Sequence, residues 1–133
     1  MLNFHSPRFL RNVLLVDAAT CVASGLLMSL GAAPLAALLE LPEVPLREAG
    51  LILLPFAAFV AFTATRERIP RGLVWCVIAA NAMWTLDSIA LLLSGWVSPN
   101  GLGTAFVLMQ AIAVAALAEL EFFGLKRASP VAA

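Results

Sequence analysis

Phe9 to Leu30 reads FLRNVLLVDAATCVASGLLMSL, with a single cation, Arg11, near its start, a single acid, Asp17, in its middle, and no other charge. A helix advances roughly 1.5 Å per residue and a hydrocarbon core is about 30 Å thick, so this stretch is long enough to cross a bilayer as one helix. Barrel strands alternate apolar and polar residues, and this stretch does not. Backbone groups in lipid must then bond within their own segment, which leaves a transmembrane helix.

Three more runs of the same kind follow outward from it, at Ala49 to Thr65, Gly72 to Val97 and Leu102 to Leu125. Together they take up most of the 133 residues, of which 62% are hydrophobic and 12% charged, with a mean hydropathy of +0.99. Soluble domains carry about a quarter charged residues, so the composition excludes that class. The expected architecture is all-α: a single transmembrane domain over residues 1–133, an up-down-up-down four-helix bundle.

Of the eight cations, Arg8 and Arg11 flank the start of the first run, Arg66, Arg68 and Arg71 join the second to the third, and Lys126 and Arg127 follow the fourth. Arg47 alone lies in a different connector, among Glu40, Glu43 and Glu48. Cytoplasmic loops carry the excess of Lys and Arg, which predicts both termini in the cytoplasm. A cleaved secretory signal is not expected, because the first run exceeds the usual apolar core of a signal and holds Asp17. Ala18, Ala19 and Thr20 make a poor lipoprotein site of Cys21.

The connector from Gly31 to Glu48 is the long irregular one. Within it, Pro34 to Leu41 has a helical pattern, with Pro34 in a first turn and Pro42 as a stop, and Leu35, Leu38, Leu39 and Leu41 predict a short interfacial helix. Trp96, Ser98, Pro99, Asn100 and Gly101 predict a tight turn between the last two runs. Trp96 on one side, and Trp75, Phe122 and Phe123 on the other, are expected interfacial anchors.

Helices in lipid associate through close packing of small residues and through hydrogen bonds. Ala18, Cys21, Gly25 and Ser29, then Ala57, Ala61 and Ala64, then Ala111, Ala115 and Ala118, form such stripes, although alanine is also simply abundant. Pro55 is expected to kink the second run. Asp17, Ser24 and Gly25 recur in spacing as Asp87, Ser94 and Gly95, which suggests a weak internal repeat.

A carboxylate at mid-bilayer costs about 2.5 to 3.5 kcal/mol on insertion scales, so such an acid is expected to face the bundle interior with a partner or a proton. Asp17 and Asp87 are two such acids, each roughly 4 Å from the midplane on opposite sides of it, and no basic residue shares their depth. Asn81, Trp84 and Gln110, with Thr20 and Cys21, are expected to join them in one polar seam. That seam would serve as a proton path or ligand site, or as interhelical glue. Glu119 and Glu121 fall roughly 9 to 12 Å toward the cytoplasm, where Arg11 offers a structural ion pair. The alternative role for Glu119 is the cytoplasmic end of a proton path from Asp17.

No metal site or cofactor is expected: the single histidine, His5, precedes the first run, and Cys21 and Cys76 lie at different depths. The membrane serines have no histidine or lysine to activate them, so an enzyme is not expected. The zero net charge argues against nucleic-acid binding.

The run from Gly95 through Gln110 and Glu119 to Arg127, with its Gly-Trp-Val-Ser-Pro turn, resembles small uncharacterised four-span bacterial inner-membrane proteins. That resemblance implies the architecture and no activity. Two functional expectations follow from the residues. The first is a non-catalytic intramembrane binding or assembly module whose partner is membrane lipid, another membrane protein or its own oligomer. The second is a small oligomeric carrier or channel for protons or a small solute, lined by Asp17, Asp87, Asn81 and Gln110.

Overall fold

The computed structural model describes residues 7–127, with side chains for 8–126, and is helical throughout these limits apart from its turns. His5 and the side chain of Arg127 lie outside the described residues. The elements are α1 (Pro7–Leu30), α2 (Ala32–Leu39), α3 (Glu43–Ala64), α4 (Arg71–Ser94) and α5 (Gly101–Arg127). Four of them, over Arg8–Leu30, Glu43–Ala64, Arg71–Ser94 and Gly101–Lys126, are long and apolar enough to cross a membrane.

The second long helix begins at Glu43 rather than at Ala49. Pro42 stands just before its first turn and Pro45 within it, where a missing N–H has no intrahelical bond to lose. Farther along, α3 runs through Pro55 without interruption. The short helix α2 lies two residues earlier than its pattern suggested and ends on Glu40, whose backbone is left-handed at φ 57°. The Leu41 N–H then closes on the Ala36 carbonyl at 3.2 Å, a helix stop that Pro42 reinforces. Ala32, Ala36 and Leu39 of α2 are buried against the bundle.

Among the long helices, α1 and α3 pack most extensively. A methyl group built on Gly50 would stand 2.6 Å from the Ser29 nitrogen and 2.9 Å from the Gly25 carbonyl oxygen, so the two backbones are in contact there. Ala18, Cys21 and Ser29 are buried along the same side of α1, and Ala57 and Ala64 along α3. Ser29 spends its hydroxyl on the Gly25 carbonyl at 2.6 Å, within its own helix.

Arginines tie helix ends together. Arg11 Nη1 donates to the carbonyls of Ala64 at 2.5 Å and Arg66 at 2.8 Å, at the end of α3. Arg71 Nη1 donates to the Leu125 carbonyl at 3.0 Å near the end of α5. Arg47, paired with Glu43 at 3.0 Å, reaches the Ser29 carbonyl near the end of α1. The last carbonyls of a helix lack intrahelical donors and carry partial negative charge, so a guanidinium is a fitting partner.

The core has two parts. Near the arginine-rich end, Leu10, Leu14, Ala18, Val60, Ala64, Val74, Val77 and Leu125 pack all four long helices together. Toward the other end, Cys21, Met28, Ala36, Leu39, Leu46, Leu53, Ala57 and Val107 form a cluster to which α4 contributes no buried residue. Buried positions on α4 stop at Val74, Val77 and Asn81. Its second half leans on α5 while Met83, Leu86, Asp87 and Leu93 are exposed. The bundle is therefore closed at one end and parted beside α4 at the other.

The suspected repeat has no structural counterpart. Gly25 sits inside a helix crossing, whereas Gly95 ends α4 in a left-handed conformation at φ 77°.

Candidate functional site

Where the bundle begins to part, three side chains from three helices meet in the interior. Asn81 of α4 donates one amide proton to Asp17 Oδ2 of α1 at 2.8 Å and the other to Glu121 Oε1 of α5 at 2.9 Å. The Cys21 thiol, one turn beyond Asp17, faces Asp17 Oδ1 at 3.5 Å. Asp17, Asn81 and Glu121 are 2%, 3% and 0% exposed, and Glu121 Oε2 is buried with no hydrogen-bond donor among the described residues. Two carboxyls thus converge on one neutral amide, an arrangement able to share a proton.

Beside this cluster lies a cavity of about 290 Å³ bounded by all four long helices. Leu53, Phe56, Val114 and Leu117 supply much of its apolar wall, and Asp17, Asn81, Trp84, Asp87 and Gln110 its main polar points, with Thr20, Cys21 and Ser24 along α1. The exposed Met83 and Ile52 also border it, so it opens sideways, toward the surface that would face acyl chains.

A second polar group closes one end of the cavity. Trp84 Nε1 donates to Gln110 Oε1 at 2.6 Å, and Gln110 Nε2 donates to Ser88 Oγ at 3.0 Å and to the Val107 carbonyl at 3.0 Å. This clasp joins α4 to α5 and anchors the Trp84 indole nitrogen. On its far side is a second cavity, of about 360 Å³, lined by Pro42, Leu46, Trp96, Val97 and Phe106 among others. Gln110 borders both cavities and forms part of the wall between them.

Of the residues singled out in the sequence, Asp17, Asn81, Trp84, Gln110 and Asp87 surround one cavity, although in two hydrogen-bonded groups rather than one seam. Asp87 departs from expectation. It is exposed at the cavity edge and has no hydrogen-bonding or ionic partner among the described residues. The buried side of α4 follows Val74, Val77 and Asn81, and at about 100° per residue Asp87 falls roughly opposite Val74.

The ion pair of Arg11 with Glu119 or Glu121 does not form. Arg11 is engaged by the α3 carbonyls, Glu119 is exposed, and Glu121 turns inward to Asn81. Glu121, expected from the sequence only as a partner for Arg11, stands instead beside Asp17 and Asn81. A signal for it existed: Glu121 follows Gln110 by three turns, about 20° off the same face, whereas Glu119 falls on the opposite face. Cys21 is buried as expected, but Cys76 is exposed. Among the described residues, no three His, Cys, Asp or Glu side chains are grouped to hold a metal ion.

No family model, curated protein or solved structure matches this chain.

Proposed function

We propose that this chain is a non-catalytic intramembrane binding module whose cavity takes an amphipathic molecule dissolved in the membrane. The supporting observation is the cavity itself: apolar walls from four long helices, a few convergent polar groups, and a sideways opening. Small-molecule sites have this composition. The polar end at Asp17 and Asn81 suits a head group, and the Phe56 and Leu117 walls suit an apolar body.

In this reading the long helices cross a bacterial inner membrane with both termini in the cytoplasm, as the side-by-side grouping of cations supports. The short helix α2 then lies at the outer interface, its exposed Leu38 toward lipid. Exposed apolar residues along α4, among them Met83, Leu86 and Leu93, provide surface for a lipid layer, a partner membrane protein or a second copy of the chain.

A carrier for protons or a small solute is the second reading. What favours it is the pair of cavities meeting at Gln110, with two carboxyls at the inner end.

Native mass spectrometry of gently extracted protein tests the binding module. A retained lipid-soluble adduct is expected on the unmodified chain and its loss on the cavity-filling variant Ser24→Leu/Ala113→Leu. Equal adduct levels on both would overturn the proposal.

A further inference from the structure

The charge of the cavity points to a class of ligand. Carboxyls stand at two places around it, Asp17 buried at one end and Asp87 exposed at the edge, and no Lys, Arg or His is among the described residues lining it. Three arginines are engaged elsewhere: Arg11 and Arg71 hold helix-end carbonyls at the closed end, and Arg47 holds Glu43 and Ser29. Behind Asp17 lies a further carboxyl, that of Glu121, with one oxygen lacking a hydrogen-bond donor among the described residues. A low-dielectric space bordered by acids and lacking a positive side chain favours a positive guest.

The walls narrow the class further. Trp84 lines the cavity with its indole N–H held by Gln110, and Phe56 lines it from α3. Aromatic faces attract organic ammonium groups, and the attraction grows when water is excluded. The remaining wall is aliphatic, from Leu53, Val114 and Leu117. A small hydrated metal ion would leave that wall unused, whereas a cation bearing an apolar body would cover it.

We infer that the cavity binds a hydrophobic organic cation, with its charged head against Asp17 and Trp84, its apolar body along Phe56 and Leu117, and Asp87 at the entrance. This rests on the reading of the cavity as a ligand site and adds the sign of the ligand's charge. Asp87 then has a role that its exposed place does not otherwise explain: it draws the cation from the bilayer to the opening.

The test is titration calorimetry of the full chain in lipid nanodiscs with three probes of one shape: benzyltrimethylammonium, its uncharged isostere neopentylbenzene, and benzylsulfonate. The cation is expected to bind at least about tenfold more tightly than the neutral isostere, with no measurable binding of the anion. Asp17→Asn should weaken cation binding about tenfold and leave the neutral isostere unaffected. Because Asp17 is packed in the core, Asp87→Asn is the companion variant. It lies on the surface, should melt like the parent, and should weaken cation binding about threefold.

If the isostere binds as well as the cation, and both variants bind the cation like the parent, the cation inference is overturned and the binding module stands. If no probe binds and Ser24→Leu/Ala113→Leu keeps the same native adducts as the parent, both fall together.

Discussion

Asn81 and Asp17 are 64 positions apart in sequence and 2.8 Å apart in the fold, and their hydrogen bond joins α4 to α1, helices whose backbones otherwise barely approach. The same amide holds Glu121. One neutral side chain thus links three helices at the level where the bundle starts to part.

Removing that amide should be costly. Asn81→Ala leaves two buried carboxyls without their donor and is expected to lower stability by about 2–4 kcal/mol. Adding Glu121→Gln in the same chain supplies a new amide next to Asp17 and should restore at least half of the loss. Thermal unfolding in detergent, followed by circular dichroism, measures both; an unchanged midpoint for Asn81→Ala would remove the central role given to this residue.

Helix contact at the glycine crossing gives a second test. Gly50→Ala places a methyl against the Ser29 nitrogen and should destabilise by about 1–3 kcal/mol through overpacking. Gly72, which has nothing within 4 Å of an added methyl, is the control. Gly72→Ala should be neutral or stabilising by up to about 1 kcal/mol, since alanine is the better helix former. Equal unfolding midpoints for the two variants would contradict the close approach of α1 and α3.

Arg11 and Glu119 behave independently in this structure. Arg11→Ala removes the donor from the end of α3 and is expected to cost about 1–2 kcal/mol, with faster hydrogen exchange at the α3 terminus. Glu119→Gln should stay within about 0.5 kcal/mol of the parent. A double-mutant cycle that gives a coupling of 1 kcal/mol or more between the two positions, a value taken as roughly the strength of a real pair, would restore the ion pair.

Asn100 connects two helix ends. Its side-chain oxygen accepts the Gly103 N–H at 2.7 Å as the cap of α5, and its side-chain nitrogen donates to the Leu38 carbonyl at 2.9 Å near the end of α2. Asn100→Ala should cost about 1–2 kcal/mol, whereas Asn100→Asp keeps the cap and loses the tether. Proteolysis within the α2–α3 connector is expected to quicken in both variants; unaltered cleavage in Asn100→Asp would show that α2 does not depend on this tether.

Much of the helical layout is legible along the chain, and the site is legible in part. Asp17, Asn81, Trp84 and Gln110 stand out as polar groups in apolar helices, and all border the cavity. Glu121 stands out only as a partner for Arg11, because charged residues near a helix end are ordinarily solvated; its inward turn depends on the α5 face shared with Gln110. Asp87 stands out equally in sequence, yet helix rotation carries it to the surface.

Length and hydropathy by themselves determined the four long helices, since a bilayer-spanning helix needs a certain run of apolar residues and little else. Tertiary structure decided which polar groups meet, which arginines cap which helix ends, and that α4 parts from α1 and α3 to leave a cavity. In a chain so rich in Ala and Leu many helix faces are nearly equivalent. Rotation and tilt are then set by a few backbone contacts, such as Gly25 on Gly50 and Gly103 on the Leu39 carbonyl, that emerge only when the helices are assembled.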